Sequence, residues 1–336
     1  MESSAVLKGF EPLANRKAQH RSLESGTRNM LLPNAPRTPM LYNQELRDAG
    51  RAFNSKPFRT APPKQHDAKE RLHGSDRCPC SHISNKIASR AVDAVGDFYL
   101  IDMFGEGTVE HLLSAQQHAP ITHFIVHSVA TTPGSVESIN NFIAEQCRQH
   151  PEFIGFMAMH QDYPEPEKEI ERAIGLGLKG MKLHPDTQHV NMDDPRLMNV
   201  YEMIEGRLPI VIHTGDYRYD YSHPRRLMNV LKTFPDLVVD AAHFGCWSRY
   251  EVGYDILHNA DNLFVDASSS QFFLGQRRTV ELARMWGTDR IMFGSDYPMW
   301  SPAAEYDQFV TAGFSEDELE NMLWHNAERF AGVKVG

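Results

Sequence analysis

The segment LPIVIHTGD (residues 208–216) decides the fold. Its short apolar run ends at His213, and the segment LVVDAAHFG (237–245) repeats this arrangement around His243. Continuous apolar runs that are bounded by turn residues are typical of strands buried on both faces of a parallel sheet. A helix is predicted between them, over HPRRLMNVLKTFP (223–235). The region is therefore predicted to form a strand–helix–strand unit.

The same alternation continues in both directions along the chain. Further strand-like runs begin near residues 122, 153, 179, 262 and 290, and helical patterns separate them. Together with the two runs above, these make seven strands, whereas a TIM-type (β/α)8 barrel has eight. We predict an α/β fold of this barrel type in which strand 1 is degraded or absent. Its place is DRCPCSHIS (76–84), just before the helix predicted over 86–99.

The first 80 residues differ from the rest in composition. They carry 14 Lys and Arg against 8 Asp and Glu, contain Val6 as their single valine and have no isoleucine. A segment so poor in β-branched aliphatic residues cannot build strands or bury much surface. We therefore predict that residues 1–80 are a disordered extension and that the barrel spans 81–336. A basic arm for nucleic acid is the alternative, although its charges do not form a run.

Overall composition limits the classes of function. The net charge of −10 argues against nucleic acid as a partner. No apolar run approaches the roughly 18 residues of a membrane span, and the N-terminus lacks the apolar block of a secretory signal. The four cysteines are too scattered for a disulfide framework. We expect a cytoplasmic protein with a small-molecule substrate and no membrane partner, and a homo-oligomer is compatible with the sequence.

Polar residues that could carry chemistry stand at the strand ends. A lone histidine is usually a hydrogen-bonded core residue, but a barrel brings all its carboxyl strand ends to one mouth. Neutral imidazoles and a carboxylate that converge there suit zinc, manganese or iron. The residues in such positions are His127, His160, Lys182, His184, His213, His243 and Asp296.

Four motifs occur in order at these strand ends, namely GLKGMKLHPD (177–186), HTGDYRYDYSHPRR (213–226), AAHFGCW (241–247) and FGSDYPMW (293–300). With them the chain resembles the amidohydrolase superfamily over about residues 86–332. The resemblance is to the amidohydrolase-related branch that includes aminocarboxymuconate-semialdehyde decarboxylase and resorcylate decarboxylase. It implies one divalent metal, held by a His-x-His (or Glu-x-His) pair on strand 1, by His213 on strand 5 and by Asp296 on strand 8. It also implies an acid–base role for His243 on strand 6.

Strand 1 departs from this pattern. Aligned on NKIA (85–88), the two metal-binding positions fall on Pro79 and Ser81, and neither residue can supply an imidazole. One hypothesis is a shifted reading frame, because degenerate codons for residues 76–84 read one nucleotide later permit IDAHVHIFP. The alternative of a metal or redox motif at Cys78-Pro79-Cys80 lacks the second cysteine pair of a structural zinc site.

Three functions follow from the resemblance. The first is a metal-dependent hydrolase of a small carboxylate or cyclic substrate, with zinc as the expected metal and manganese as the second choice. Metal-activated water would attack, with Asp296 and His243 in acid–base roles. The second is a non-oxidative decarboxylase on the same barrel, and the third is an inactive barrel that lacks its strand-1 ligands. The residues predicted to bind substrate are Lys182, His184, Tyr217, Arg218 and Trp247, and Trp300 is a second aromatic candidate for the pocket wall.

Overall fold

A computed structural model describes residues 76–81, 88–117 and 119–334, with the backbone alone in 76–81 and at Ser89. Eight parallel strands form one sheet in sequence order, in which each strand pairs with the next along the chain. The strands are β1 (Asp76–Ser81), β2 (Ile121–His127), β3 (Phe153–Ala158), β4 (Gly180–Leu183), β5 (Ile210–Ile212), β6 (Val239–Ala241), β7 (Leu263–Asp266) and β8 (Ile291–Met292).

Helices follow the strands, as a (β/α) pattern requires. The described helices are α1 (Ala88–Tyr99), α2 (Val109–Ala115), α3 (Val136–Gln149), α4 (Pro166–Gly175), α5 (Pro185–Gln188), α6 (Pro195–Ile204), α7 (Pro224–Thr233), α8 (Tyr250–Leu257), α9 (Gln271–Trp286), α10 (Pro302–Val310), α11 (Glu316–Glu320) and α12 (Asn326–Ala331). A 3-10 turn at Pro133–Ser135 precedes α3, and a π-helical turn at Asn321–His325 joins α11 to α12.

The first strand is present, in the segment where the sequence showed no strand-like run. Pro79 of β1 pairs with Ile125 of β2, and Ser81 pairs with His127. No pairing joins β8 to β1 within the described ranges, so the barrel is incomplete along that edge. The prediction of a TIM-type barrel is confirmed. Strand 1 is present, and the barrel is incomplete between β8 and β1. The predicted boundary between residues 80 and 81 falls inside β1, and the disorder predicted for residues 1–75 lies outside the described residues.

Helix starts follow a repeated local signal on the mouth side of the barrel. His184, Asp194, His223 and Ser301 each accept a hydrogen bond from a backbone N–H in the first turn of the helix that follows. Each of these residues is followed by proline, which suits the first helical position because it has no N–H to satisfy. These caps fix the point at which the chain leaves each strand-end loop.

Alternation along the strands divides the core into an outer and an inner layer. Met181 and Leu183 of β4 belong to the large cluster that packs under the helices. A second cluster joins Ile125, Phe156 and other strand residues to Phe330 of α12, so it fills the inside of the barrel. Lys182 lies between Met181 and Leu183 and therefore points inward. By the same alternation Asp240 of β6 also points into the barrel, between residues of the outer layer.

Candidate active site

One cavity of about 600 Å³ opens at the carboxyl ends of the strands. Its polar lining includes six residues that the sequence singled out, namely Lys182, His184, His213, His243, Trp247 and Asp296. Apolar side chains of α1 and α3 form other walls, among them Val95, Phe98, Ile139 and Phe142. Five of the seven strand-end residues named from the sequence therefore line one cavity, and their roles in catalysis stay predictions.

His213 lies at the centre of the polar part. Its Nδ1 is 3.1 Å from His243 Nε2, and its ring stacks on His184 with centroids 4.0 Å apart. Its Nε2 is buried without a hydrogen-bond partner and lies 3.5 Å from Oδ2 of Asp186. Burial, with the nearby His184, His243 and Lys182, holds the pKa of His213 well below its usual range. The imidazole is therefore neutral, the form in which histidine binds metal.

Asp186 belongs to the site, and the sequence analysis did not select it. It is fully buried in the first turn of α5, where the Ser222 hydroxyl donates to its Oδ2 and its Oδ1 has no partner among the described residues. Burial raises the pKa of Asp186 to about 7. The sequence signal that could have identified Asp186 is its position two residues after His184, which lies at a strand end.

These residues form a candidate metal site. His184, Asp186 and His213 each offer a ligand atom, and the three atoms lie within 4.8 Å of one another. Two ligands on opposite sides of an ion with bonds of about 2.1 Å would be about 4.2 Å apart, so small shifts suffice. His213 Nε2 and Asp186 Oδ1 are unpartnered, whereas His184 Nε2 is 2.8 Å from the Tyr99 hydroxyl. The donor set therefore fits a divalent cation when His184 Nε2 exchanges its contact with Tyr99 for the ion.

Asp296 lines the same cavity but lies outside that cluster. The Ser269 hydroxyl donates to its Oδ2, and the Trp300 indole N–H donates to Ser269 Oγ at 2.9 Å. Trp300 is not a lining residue, so it acts on the cavity through Ser269. The predicted role of Asp296 as a metal ligand stays a prediction.

Three residues of the site have left-handed backbone conformations. The φ angles are 62° at His243, 49° at Ser269 and 54° at Asp296. Non-glycine residues seldom adopt such angles, and the strain persists only where surrounding contacts impose it. Strained residues concentrate at functional sites, so this pattern supports the assignment of the cavity as the active site.

Close loop packing explains how the β5 and β6 loops hold His213 and His243 together. A Cβ on Gly215, which has a φ of 79°, would lie 2.4 Å from Cys246 Sγ and 2.7 Å from its Cα. The Trp247 N–H donates to the Thr214 carbonyl at 2.8 Å. Only glycine allows this approach of the two loops.

Arg218 and Tyr217 do not line the cavity. The guanidinium of Arg218 pairs with Asp216, donating to Oδ2 at 2.7 Å, and lies 4.6 Å from the centre of the Phe98 ring. Asp216 therefore neutralises the charge of Arg218. Through its contact with Phe98, Arg218 ties the β5 loop to α1 in this structure. His127 and His160 are buried but are also absent from the cavity lining.

Comparison with known proteins identifies the family. A model described as amidohydrolase matches residues 108–333, which is more than half of the chain. The chain belongs to the amidohydrolase family. No curated protein sequence matches this amidohydrolase.

Solved structures share the fold of this amidohydrolase. A 2,6-dihydroxybenzoate decarboxylase in complex with 2,6-dihydroxybenzoate is 17% identical with a TM-score of 0.61, covering 77% of this chain and 100% of that chain. A dihydroxybenzoic acid decarboxylase from Polaromonas sp. JS666, with bound manganese and 2-nitroresorcinol, is 16% identical with a TM-score of 0.61, covering 78% and 98%. A 5-carboxyvanillate decarboxylase from Novosphingobium aromaticivorans, in complex with manganese, is 15% identical with a TM-score of 0.60, covering 78% and 97%.

Membership of this family makes the chain an enzyme. At these low identities the solved structures establish the shared fold alone. Among the helices that the structure describes, none has both the length and the apolar character to cross a membrane.

Proposed function

We propose that this amidohydrolase is a metal-dependent, non-oxidative decarboxylase of small hydroxylated aromatic acids. The observation that carries the proposal is one cavity, lined by the buried Lys182, His184 and His213 beneath apolar walls, with the buried carboxyl group of Asp186 3.5 Å from His213 Nε2. A flat apolar ring that bears a carboxylate and a hydroxyl matches this distribution. Structural neighbours that act on dihydroxybenzoate and carboxyvanillate support the same substrate class.

The reaction replaces a carboxylate by a proton. The bond from the ring carbon to the carboxylate breaks, its electron pair stays on the ring carbon, a proton bonds to that carbon, and CO2 leaves. The site must therefore hold the carboxylate by positive charge and present an acid near the ring carbon. Neither requirement needs an oxidant or a reductant.

Residues of the cavity, together with the adjacent Asp186, would meet these needs. His213, Asp186 and His184 would hold a divalent metal, which when bound supplies positive charge that orients the carboxylate and a neighbouring oxygen. Burial lowers the pKa of Lys182, while nearby carboxylates, Asp296 first among them, oppose this shift. In its ammonium form Lys182 adds a second cationic contact for the substrate.

Asp296 is the group that we assign to proton delivery. One of its oxygens accepts the Ser269 hydroxyl, which leaves the other to carry a proton toward the substrate. His243 stands behind His213, to which its Nε2 is hydrogen-bonded, so it orients this ligand. The apolar residues of α1 and α3 exclude water from the carbanion-like ring carbon until it is protonated.

The test is CO2 release from carboxyl-labelled hydroxybenzoates by the full chain, with manganese or zinc added, alongside hydrolysis of a lactone and an amide panel. We expect CO2 from ortho-hydroxy acids. We also expect that Lys182→Met removes most turnover, while the exposed control Lys232→Met does not. Hydrolysis without CO2 would overturn the proposal in favour of the hydrolase. Absence of metal and of both activities would overturn it in favour of an inactive barrel.

A further inference from the structure

We propose that Asp266 and Ser268 are positioning residues that fix the protons of His243 and His213, so that His213 presents a bare nitrogen lone pair to the cation site. The inference rests on the proposed metal-dependent function only for its effect on catalysis. Its geometric basis is a chain of hydrogen bonds that starts at the end of β7 and ends beside Asp186.

Asp266 is the first residue in this series of hydrogen bonds. Its buried Oδ1 accepts hydrogen bonds from the His243 N–H at 3.1 Å and the Ser268 N–H at 2.9 Å, and the Ser268 hydroxyl lies 2.5 Å away. A carboxyl oxygen that accepts two backbone N–H groups carries no proton to donate. The hydroxyl proton of Ser268 therefore points at Asp266, and the lone pairs of Ser268 Oγ point elsewhere.

Those lone pairs determine the tautomer of His243. Its Nδ1 faces two oxygens of Ser268, the carbonyl at 3.0 Å and Oγ at 2.9 Å. A carbonyl has no proton to donate, and the hydroxyl proton is already engaged with Asp266. His243 Nδ1 must therefore carry the proton and donate it. In the neutral imidazole the other nitrogen, Nε2, is then an acceptor.

The same reasoning passes to His213. His243 Nε2 lies 3.1 Å from His213 Nδ1, so the proton between them belongs to His213. Nδ1 is the ring nitrogen of His213 that has an acceptor within hydrogen-bond distance, so the ring proton is placed there. Its Nε2 is then a bare lone pair, which agrees with the unpartnered state of that atom beside Asp186. A metal ligand is commonly oriented in this way through its second ring nitrogen.

Asp240 adds a second buried carboxyl group beside Asp266. Asp240 points into the barrel from the neighbouring strand, is fully buried, and its side chain is hydrogen-bonded to Asp266. Burial, followed by the nearby Asp266, raises the pKa of Asp240 well above its usual range. Asp240 is therefore the donor of this pair, and Asp266 accepts from it as well as from His243 and Ser268.

The first test reads the tautomers directly in metal-free, full-length protein. Histidines labelled with 15N give distinct long-range 1H–15N patterns for the two tautomers, and His213→Gln and His243→Gln variants assign the two signals. We expect the Nδ1–H tautomer at both positions. An Nε2–H tautomer at either histidine would overturn the proposal, and this readout does not depend on any enzymatic activity.

The second test measures zinc and manganese affinity by chelator competition. Ser268→Ala and Asp266→Asn are each expected to weaken binding by about tenfold, the lower end of what loss of a ligand-orienting partner costs. Ser268→Thr keeps the hydroxyl and is expected to restore affinity. The double variant should bind no more weakly than either single variant, because both changes interrupt one path. Fully additive losses would contradict a path through the serine hydroxyl.

Discussion

The two halves of the barrel mouth differ in what they offer a cation. On the β4–β7 side, His184, His213 and His243 are linked by stacking and hydrogen bonds to each other and to buried carboxylates. On the β1 side, the two positions at which the resemblance predicts metal-binding histidines carry Pro79 and Ser81. The bonds of the β4–β7 side run between neighbouring loops and do not involve strand 1. The difference teaches that this half of the site can form without ligands from strand 1.

Restoring the β1 half is expected to have the largest effect. Replacement of residues 1–84 by a start methionine and IDAHVHIFP would place two imidazoles at the strand-1 positions. We expect about one metal per chain and a large gain in turnover. Because a ligand that binds only the folded state at about 1,000 times its Kd adds about 4 kcal/mol, we also expect a higher Tm.

Metal analysis and thermal melting of the original and the altered chain, side by side, make this measurement. Equal metal content and equal Tm would show that the Pro79 and Ser81 positions do not hold ligands, and the reading-frame hypothesis would then be abandoned.

Breaking the β4–β7 half is the second test. His213→Gln removes the atom that both the cation cluster and the His243 contact share, so metal affinity should fall at least about 100-fold. His160→Gln changes another buried histidine that lies away from the cavity lining and serves as the matched control. Titration of apo protein with zinc checks both. Equal affinity in the two variants would remove His213 from the ligand set.

Asp296→Asn distinguishes proton delivery from metal binding. If Asp296 delivers a proton and the β4–β7 residues hold the metal, turnover should fall by about 10²- to 10⁴-fold. Metal affinity should change by less than about threefold, within the effect of altering one neighbouring charge. Steady-state kinetics and chelator competition on the same preparation give both numbers. A parallel collapse of metal binding would make Asp296 a ligand instead.

The smallest expected effect concerns Glu305, a buried carboxyl group near Asp296. Burial raises the pKa of Glu305 to about 8, although the Gln271 amide donates to it at 2.9 Å. Because the folded-state pKa lies above the unfolded value, this group favours folding below about pH 4.5 and loses that contribution as the pH rises toward 8.

Glu305→Gln should therefore raise the Tm by at least about 2 °C at pH 8, the shift that roughly 1 kcal/mol gives in a domain of this size. At pH 4.5 it should leave the Tm nearly unchanged. The exposed Glu202→Gln is the control, and differential scanning fluorimetry between pH 4.5 and 8 is the measurement. A gain that does not depend on pH would show that Glu305 is ionised in the folded protein.

Local sequence determined much of this protein. Seven apolar runs at helix-length intervals predicted the barrel, because the apolar patterns of buried strands and of helices can be recognised in short stretches of sequence. The same windows placed His213, His243 and Asp296 at strand ends, and barrel closure requires such ends to converge. Strand β1 was not predicted in this way, because DRCPCS lacks the β-branched residues typical of a strand. Its strand conformation depends on pairing with β2.

Tertiary structure alone decided which polar atoms meet. Asp186 enters the site because α5 turns it toward His213, and Arg218 is absent from it because Asp216 engages its guanidinium. The link from Asp266 through Ser268 to His243 depends on the left-handed backbone at His243. The contacts of His243 with His213 and with Ser268 join residues 30 and 25 positions apart at distances of about 3 Å, and a local pattern of residue types does not specify geometry at that scale.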